Sequence, residues 1–198
     1  MLTTIQTFLN QIAVSFDVPI LDWIQAHLQS ELLDTLMPII TLFGEGGIFW
    51  IAWAVLLILF PKTRKIGLGM GFALIMGLLI CNVTLKPMIA RIRPYDLQAQ
   101  LGNTINLLIE AQHDFSFPSG HTIASFEASV VLLKNSKKMG IPAIIIAVLV
   151  TFSRLYLYVH YLTDVLVSIV LGTLFALIGN WLAGKIAPKL IKKGKFEA

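Results

Sequence analysis

The stretch LTDVLVSIVLGTLFALIGNWLAG, residues 162–184, carries a single charged side chain, Asp164. A helix needs about 20 predominantly apolar residues to cross the hydrocarbon layer of a bilayer, so this stretch reads as a transmembrane helix. Working outward, the same character recurs in GGIFWIAWAVLLILF (46–60), IGLGMGFALIMGLLI (66–80) and IPAIIIAVLVTF (141–152), the last continuing through LYLYV. The 198 residues are 57% hydrophobic and only 13% charged, whereas a soluble domain carries about 25% charged residues. A membrane β-barrel would instead show segments of roughly ten residues alternating in hydrophobicity. These runs are continuous and rich in Leu, Ile, Ala and Gly, which specifies an all-α integral membrane protein.

Spans are expected at 34–60, 64–85, 119–134, 140–158 and 162–184. The first is interrupted by Gly44, Gly46 and Gly47, so it is tilted or broken there. Residues 1–33 scatter Asn10, Gln11, Asp17, Asp22, Gln25 and His27 among apolar positions. That pattern suits an amphipathic helix lying at the membrane interface, with a sixth span as the alternative. The expected organisation is one membrane domain: an interfacial segment (1–33), a helical bundle (34–184) and a basic tail (185–198). The N-terminus lacks the positive region of a secretory signal. The single cysteine, Cys81, excludes an intrachain disulfide.

Lys and Arg in short loops mark the cytoplasmic side of a membrane protein. Lys62, Arg64 and Lys65 join the first two spans; Lys134, Lys137 and Lys138 join the third and fourth; five lysines follow the fifth. Along an alternating five-span path these groups share one side, so the C-terminus is expected in the cytoplasm. Of the 15 basic residues, Lys86, Arg91, Arg93 and Arg154 remain, all at the opposite face. Lys86, Arg91 and Arg93 could simply anchor a span by reaching to headgroups. Arg154 sits inside an apolar stretch, where an ionisable group is a functional candidate. A cluster of cations at membrane depth calls for an anion.

Three outer-face segments hold most of the polar chemistry: KPMIARIRP (86–94), PSGH (118–121) and SRLYLYVHYLTD (153–164). Lys86, Arg93 and Arg154 can neutralise a phosphate dianion, with the arginine forks suited to bidentate contact. Ser119 and Gly120 stand at a helix start, where free N–H groups attract anions. His160 and Asp164 are four apart, on one face if helical. A carboxylate there would fix the imidazole tautomer and strengthen it as a nucleophile; a plain turn-satisfying pair is the competing reading. His121 alone is equally compatible with an interfacial histidine.

Taken together, the segments resemble the type 2 phosphatidic acid phosphatase (PAP2) family, which shares its site with vanadium haloperoxidases. The family pattern K-x6-R-P, P-S-G-H and S-R-x5-H-x3-D is matched by Lys86, Arg93 and Pro94, by Pro118, Ser119, Gly120 and His121, and by Ser153, Arg154, His160 and Asp164. The strongly apolar spans set the chain apart from the soluble haloperoxidase branch. The resemblance implies that His160 attacks phosphorus to give a phosphohistidine, oriented by Asp164, and that His121 protonates the leaving alkoxide. It implies that Lys86, Arg93, Ser119, Gly120 and Arg154 hold the phosphoryl oxygens, and that no metal or other cofactor takes part.

The implied function is hydrolysis of a membrane lipid phosphate, such as phosphatidic acid, phosphatidylglycerol phosphate or a polyprenyl diphosphate, at the extracytoplasmic face of a bacterial cytoplasmic membrane. The alternatives are phosphotransfer to a hydroxyl acceptor and a non-catalytic phosphate-binding membrane protein. The partners expected are the lipid substrate and the bilayer, with no nucleic acid; the oligomeric state is not specified. Three further features stay open. Arg91 is either a headgroup anchor or a supporting phosphate contact. INLLIEA, within the long 95–117 connection, is either a short amphipathic helix over the site or a segment that only shields helix ends. Glu127 is either protonated packing or part of a polar network behind the site.

Overall fold

A computed structural model describes residues 2–193. Its regular structure is all helical, with no strand among the described residues. Helices α1 (Leu2–Ile12) and α2 (Val18–Leu28) are joined through a π-helical turn at Ala13–Asp17. Helices α3 (Glu31–Thr41) and α4 (Ile48–Leu59) form the first span, broken at Leu42–Gly47 as its glycines suggest. Gly46 (φ 55°) and Gly47 (φ 66°) take the left-handed conformation that glycine adopts without steric cost. Helix α5 (Arg64–Met76) runs on through a π-helical stretch, Gly77–Leu85, into α6 (Lys86–Ile89), and α7 (Pro94–Gln100) follows a short break. Helices α8 (Gly120–Asn135), α9 (Lys137–Tyr156) and α10 (Leu162–Lys193) complete the bundle.

Among the described residues, four stretches are long and apolar enough to cross a membrane: Glu31–Leu59, Arg64–Gln100, Lys137–Tyr156 and Leu162–Ala187. The remaining expected span, 119–134, is a helix of 16 residues. It packs against α5, α9 and α10 and buries Thr122, Ser125, Glu127 and Ser129. Protein rather than lipid surrounds it, so it needs neither the length nor the apolarity of a lipid-facing helix. Trp50 on α4 marks the contact: its indole N–H donates to Ser125 Oγ at 3.0 Å. The outer surfaces carry Ile51, Val55, Leu59, Ile145, Val148 and Val170, all exposed, as a lipid-facing bundle requires.

The N-terminal helices lie against the end of the bundle that holds the loops. Ala13, Leu21 and Ile24 are buried while Phe8, Phe16 and Trp23 are exposed, so apolar residues lie on both faces of these helices. The inward side also carries polar groups: Asp22 accepts from Tyr158 Oη, Gln25 donates to Tyr156 O, and Asp17 is fully buried. The 95–117 connection contains no helix over INLLIEA. Instead Ile105, Leu107 and Ile109 pack in alternation against the cluster around Tyr156, Tyr158 and Tyr161. That period of two is an extended segment's, and it overrides the amphipathic-helix alternative.

Candidate active site

Lys86, Arg93, Gly120, His121, Arg154 and His160 line a single cavity of about 500 Å³. Each arrives from a different place. Lys86 ends the second span, and Arg93 stands immediately before α7, after the chain reverses at Ala90 (φ 49°). Ser119 precedes α8 and His121 lies in its first turn. Arg154 is in the last turn of α9, while His160 sits in the tight α9–α10 turn, where Tyr158 has φ 59°.

His160 is buried with its two ring nitrogens in different surroundings. Arg93 Nη1 lies 3.1 Å from Nε2 and also donates to Val159 O at 2.7 Å. Nδ1 lies 3.6 Å from Asp164 Oδ2 and 3.5 Å from Ser116 Oγ. Helix α10 begins only at Leu162, so the His160–Asp164 pair forms across the helix start and not along a helical face. Burial, followed by the charges of Arg93 and Arg154, holds the His160 imidazole well below its ordinary pKa of 6.5. The ring is therefore neutral near pH 7, and Nε2, beside an N–H donor that cannot accept, is the unprotonated nitrogen.

Asp164 is completely buried. Ser116 Oγ donates to its Oδ2 at 2.5 Å, Tyr161 N donates to the same oxygen at 3.1 Å, and Arg91 pairs with Oδ1. Arg91 thus lies 2% exposed behind the site. It is neither a headgroup anchor nor a phosphate contact. Ser119 N donates to Ser168 Oγ at 2.9 Å, and Thr122 Oγ1 donates to Ser119 Oγ at 3.1 Å, which fixes the start of α8.

His121 Nε2 is 3.2 Å from Glu45 Oε2, close enough for an ion pair but off the line of a hydrogen bond. Glu45 reaches it from the glycine-rich break of the first span. Arg154 Nη1 donates to Thr41 Oγ1 at 2.6 Å, whereas its buried Nε and Nη2 have no partner. Buried guanidinium donors left unpaired are costly. Glu127 is buried in the wall of the same cavity, against Gly77, with Oε1 unpartnered.

One contact was not anticipated. Lys86 Nζ pairs with Asp114 Oδ2 at 2.5 Å, Arg93 pairs with the other carboxylate oxygen, and Arg93 Nε donates to Asp114 O at 3.0 Å. A carboxylate from the long connection therefore occupies the two cations. Burial opposes ionisation of Asp114, but the hydrogen bond and charge of Lys86, with Arg93, outweigh it and keep its pKa below 3.8. The residues missed from sequence are Asp17, Thr41, Glu45, Asp114, Ser116 and Thr163. Asp17 alone left a trace, as an acid in register with Ala13, Leu21 and Ile24.

Apolar helices that gather three cations and two imidazoles around one cavity define a membrane-embedded phosphatase. The chain belongs to the PAP2 superfamily, whose profile matches residues 66–187. It is 34% identical over 161 residues to an undecaprenyl-diphosphatase of Sulfolobus acidocaldarius, covering 81% of this chain and 75% of that protein. It is 33% identical to the undecaprenyl-diphosphatase BcrC of Bacillus subtilis, covering 74% and 75%. The crystal structure of a transmembrane PAP2-type phosphatidylglycerolphosphate phosphatase from Bacillus subtilis superposes with a TM-score of 0.72 at 29% identity, covering 93% of each chain.

Proposed function

We propose that this phosphatase hydrolyses a polyprenyl diphosphate or a related lipid phosphate through a phosphohistidine on His160, without a metal. His160 Nε2 attacks phosphorus; the N–P bond forms as the P–O bond to the leaving group breaks. His121, beside Glu45, gives its proton to the departing oxygen. Water then attacks the phosphohistidine, the N–P bond breaks, the water proton returns to His121, and inorganic phosphate leaves. Lys86, Arg93 and Arg154, with the N–H groups of Gly120 and His121 at the start of α8, balance the charge on the equatorial oxygens; the Ser119 N–H is taken by Ser168, so Ser119 serves by fixing that helix start. Charge stabilisation and positioning are most of what phosphoryl transfer asks of an enzyme.

The observation that carries the reading is the Asp114 carboxylate held by Lys86 and Arg93 beside His160, which marks where an anion binds. Two further features support a lipid substrate. The cavity continues from the cations along an apolar wall of Ile51, Val55, Ile58, Leu74 and Leu78, and the sequence relatives named above are undecaprenyl-diphosphatases. The distribution of Lys and Arg supports a site at the extracytoplasmic face with the C-terminus inside, in a chain that forms a single membrane domain.

The test is phosphate release by purified protein in detergent and EDTA from polyprenyl diphosphate, phosphatidylglycerol phosphate and phosphatidic acid. Release in EDTA that is lost in His160→Ala is expected; a strict requirement for added Mg²⁺ would overturn the mechanism. Cysteines introduced singly at Asn103 and Lys137 should label from opposite sides of the membrane.

A further inference from the structure

Arg91 lies outside the cavity lining, yet its guanidinium joins three parts of the chain. Nη1 donates to Thr163 Oγ1 at 2.8 Å and pairs with Asp164 Oδ1. Nη2 pairs with Asp17 Oδ2 at 2.8 Å and reaches Leu9 O at 3.5 Å. The Tyr161 ring covers the guanidinium at 3.9 Å. Asp17 in turn accepts from Thr163 N at 2.9 Å and from Thr163 Oγ1 at 2.8 Å. Arg91, Asp17 and Asp164 are buried while Thr163 is partly exposed, and the network ends on the carboxylate that faces His160.

The charges are unequal: two carboxylates share one guanidinium. A buried charge without a partner is expensive, so an excess carboxylate at this point needs a reason. If Arg91 served Asp164 alone, it would draw that carboxylate's charge away from the imidazole. Asp17 takes the other half of the fork. Asp164 then keeps Oδ1 fixed by Arg91 and leaves Oδ2 to Ser116, Tyr161 N and the Nδ1 side of His160. The excess negative charge is matched when His160 gains positive character on bonding to phosphorus.

We infer that Arg91 and Asp17 are positioning residues for the nucleophile, fixing Asp164 against His160 and making the N-terminal interfacial helix part of the active site. The inference rests on the phosphohistidine reading. It places the effect on the chemical step and not on capture of the anion, because neither residue reaches the cavity.

Two inhibitors separate those steps. Orthovanadate accepts a bond from the nucleophile and reports on His160; inorganic phosphate binds without a bond and reports on the cations. In Asp17→Asn and Arg91→Gln, kcat should fall by about tenfold or more and the vanadate inhibition constant should rise in parallel, as for supporting groups behind other catalytic centres. KM and the phosphate inhibition constant should stay within about twofold, the signature of an interaction made only in the transition state. Arg91→Lys should recover part of the loss. The inference is overturned if all four constants move together, if none moves, or if every variant fails to fold. Failure of the underlying reading is separate: it appears as unchanged turnover in His160→Ala.

Discussion

Arg93 Nη1 and His160 Nε2 stand 3.1 Å apart in a buried contact that pairs the fork proposed to hold phosphate with the nitrogen proposed to attack it. A phosphorus atom approaching Nε2 must take its oxygens past Arg93, so binding and attack share one geometry. Arg93 also holds Val159 O and Asp114, which a lysine's single ammonium cannot reproduce. Arg93→Lys should lower kcat/KM by about 10²- to 10³-fold, the cost of losing one preorganised donor. Steady-state hydrolysis of a lipid phosphate checks this, and a loss below threefold would refute it.

Asp114 holds Lys86 and Arg93, so under the proposed reading it competes with the substrate phosphate for them. Its side chain is half exposed, so each pair contributes about 1 kcal/mol or less. Asp114→Asn should lower KM and the inhibition constant for phosphate by about two- to fivefold. Weaker phosphate binding in this variant would mean that Asp114 assists the anion.

The pH dependence follows from His160. Its folded-state pKa lies below the ordinary 6.5, while the unfolded chain takes up a proton near 6.5. The stability this gives is present above pH 6.5 and is lost as pH falls toward the folded value, because the unfolded state then binds more protons. Unfolding temperature in detergent should therefore drop between pH 7 and pH 5 by more in the wild type than in His160→Gln. Equal drops would show that the imidazole is not held neutral.

Gly44 packs directly on the proposed acid. A Cβ there would lie 2.7 Å from His121 Cδ2 and 2.9 Å from Val150 Cγ1. Gly44→Ala should cost about 1–3 kcal/mol of stability, as overpacking of a filled site does, and should lower kcat more than it raises KM. Wild-type kcat in a folded Gly44→Ala protein would remove His121 from the reaction.

The parts legible in sequence were those whose signal is local. Apolar runs marked the spans, Gly46 and Gly47 marked the break, and the resemblance to the PAP2 pattern pointed to Lys86, Arg93, His121, Arg154 and His160, which the fold brings to one cavity. What depends on docking was not legible. Arg91 looks like any juxtamembrane arginine until the N-terminal helix brings Asp17 to it across 74 residues. Ile105, Leu107 and Ile109 carry both an extended and a helical pattern, and only the tyrosine cluster decides between them. The buried setting of α8 likewise comes from its neighbours, because its own 16 residues include serines, a threonine and a glutamate.

The central claim is a covalent bond between His160 and phosphorus. The most direct measurement is rapid quenching of the protein with a lipid diphosphate radiolabelled in its terminal phosphate, followed by peptide mapping. Label is expected on the peptide bearing His160, stable to alkali and released by acid, with no label in His160→Ala. Steady release of phosphate by the wild type with no protein-bound label at any quench time, and with turnover retained in His160→Ala, would contradict it.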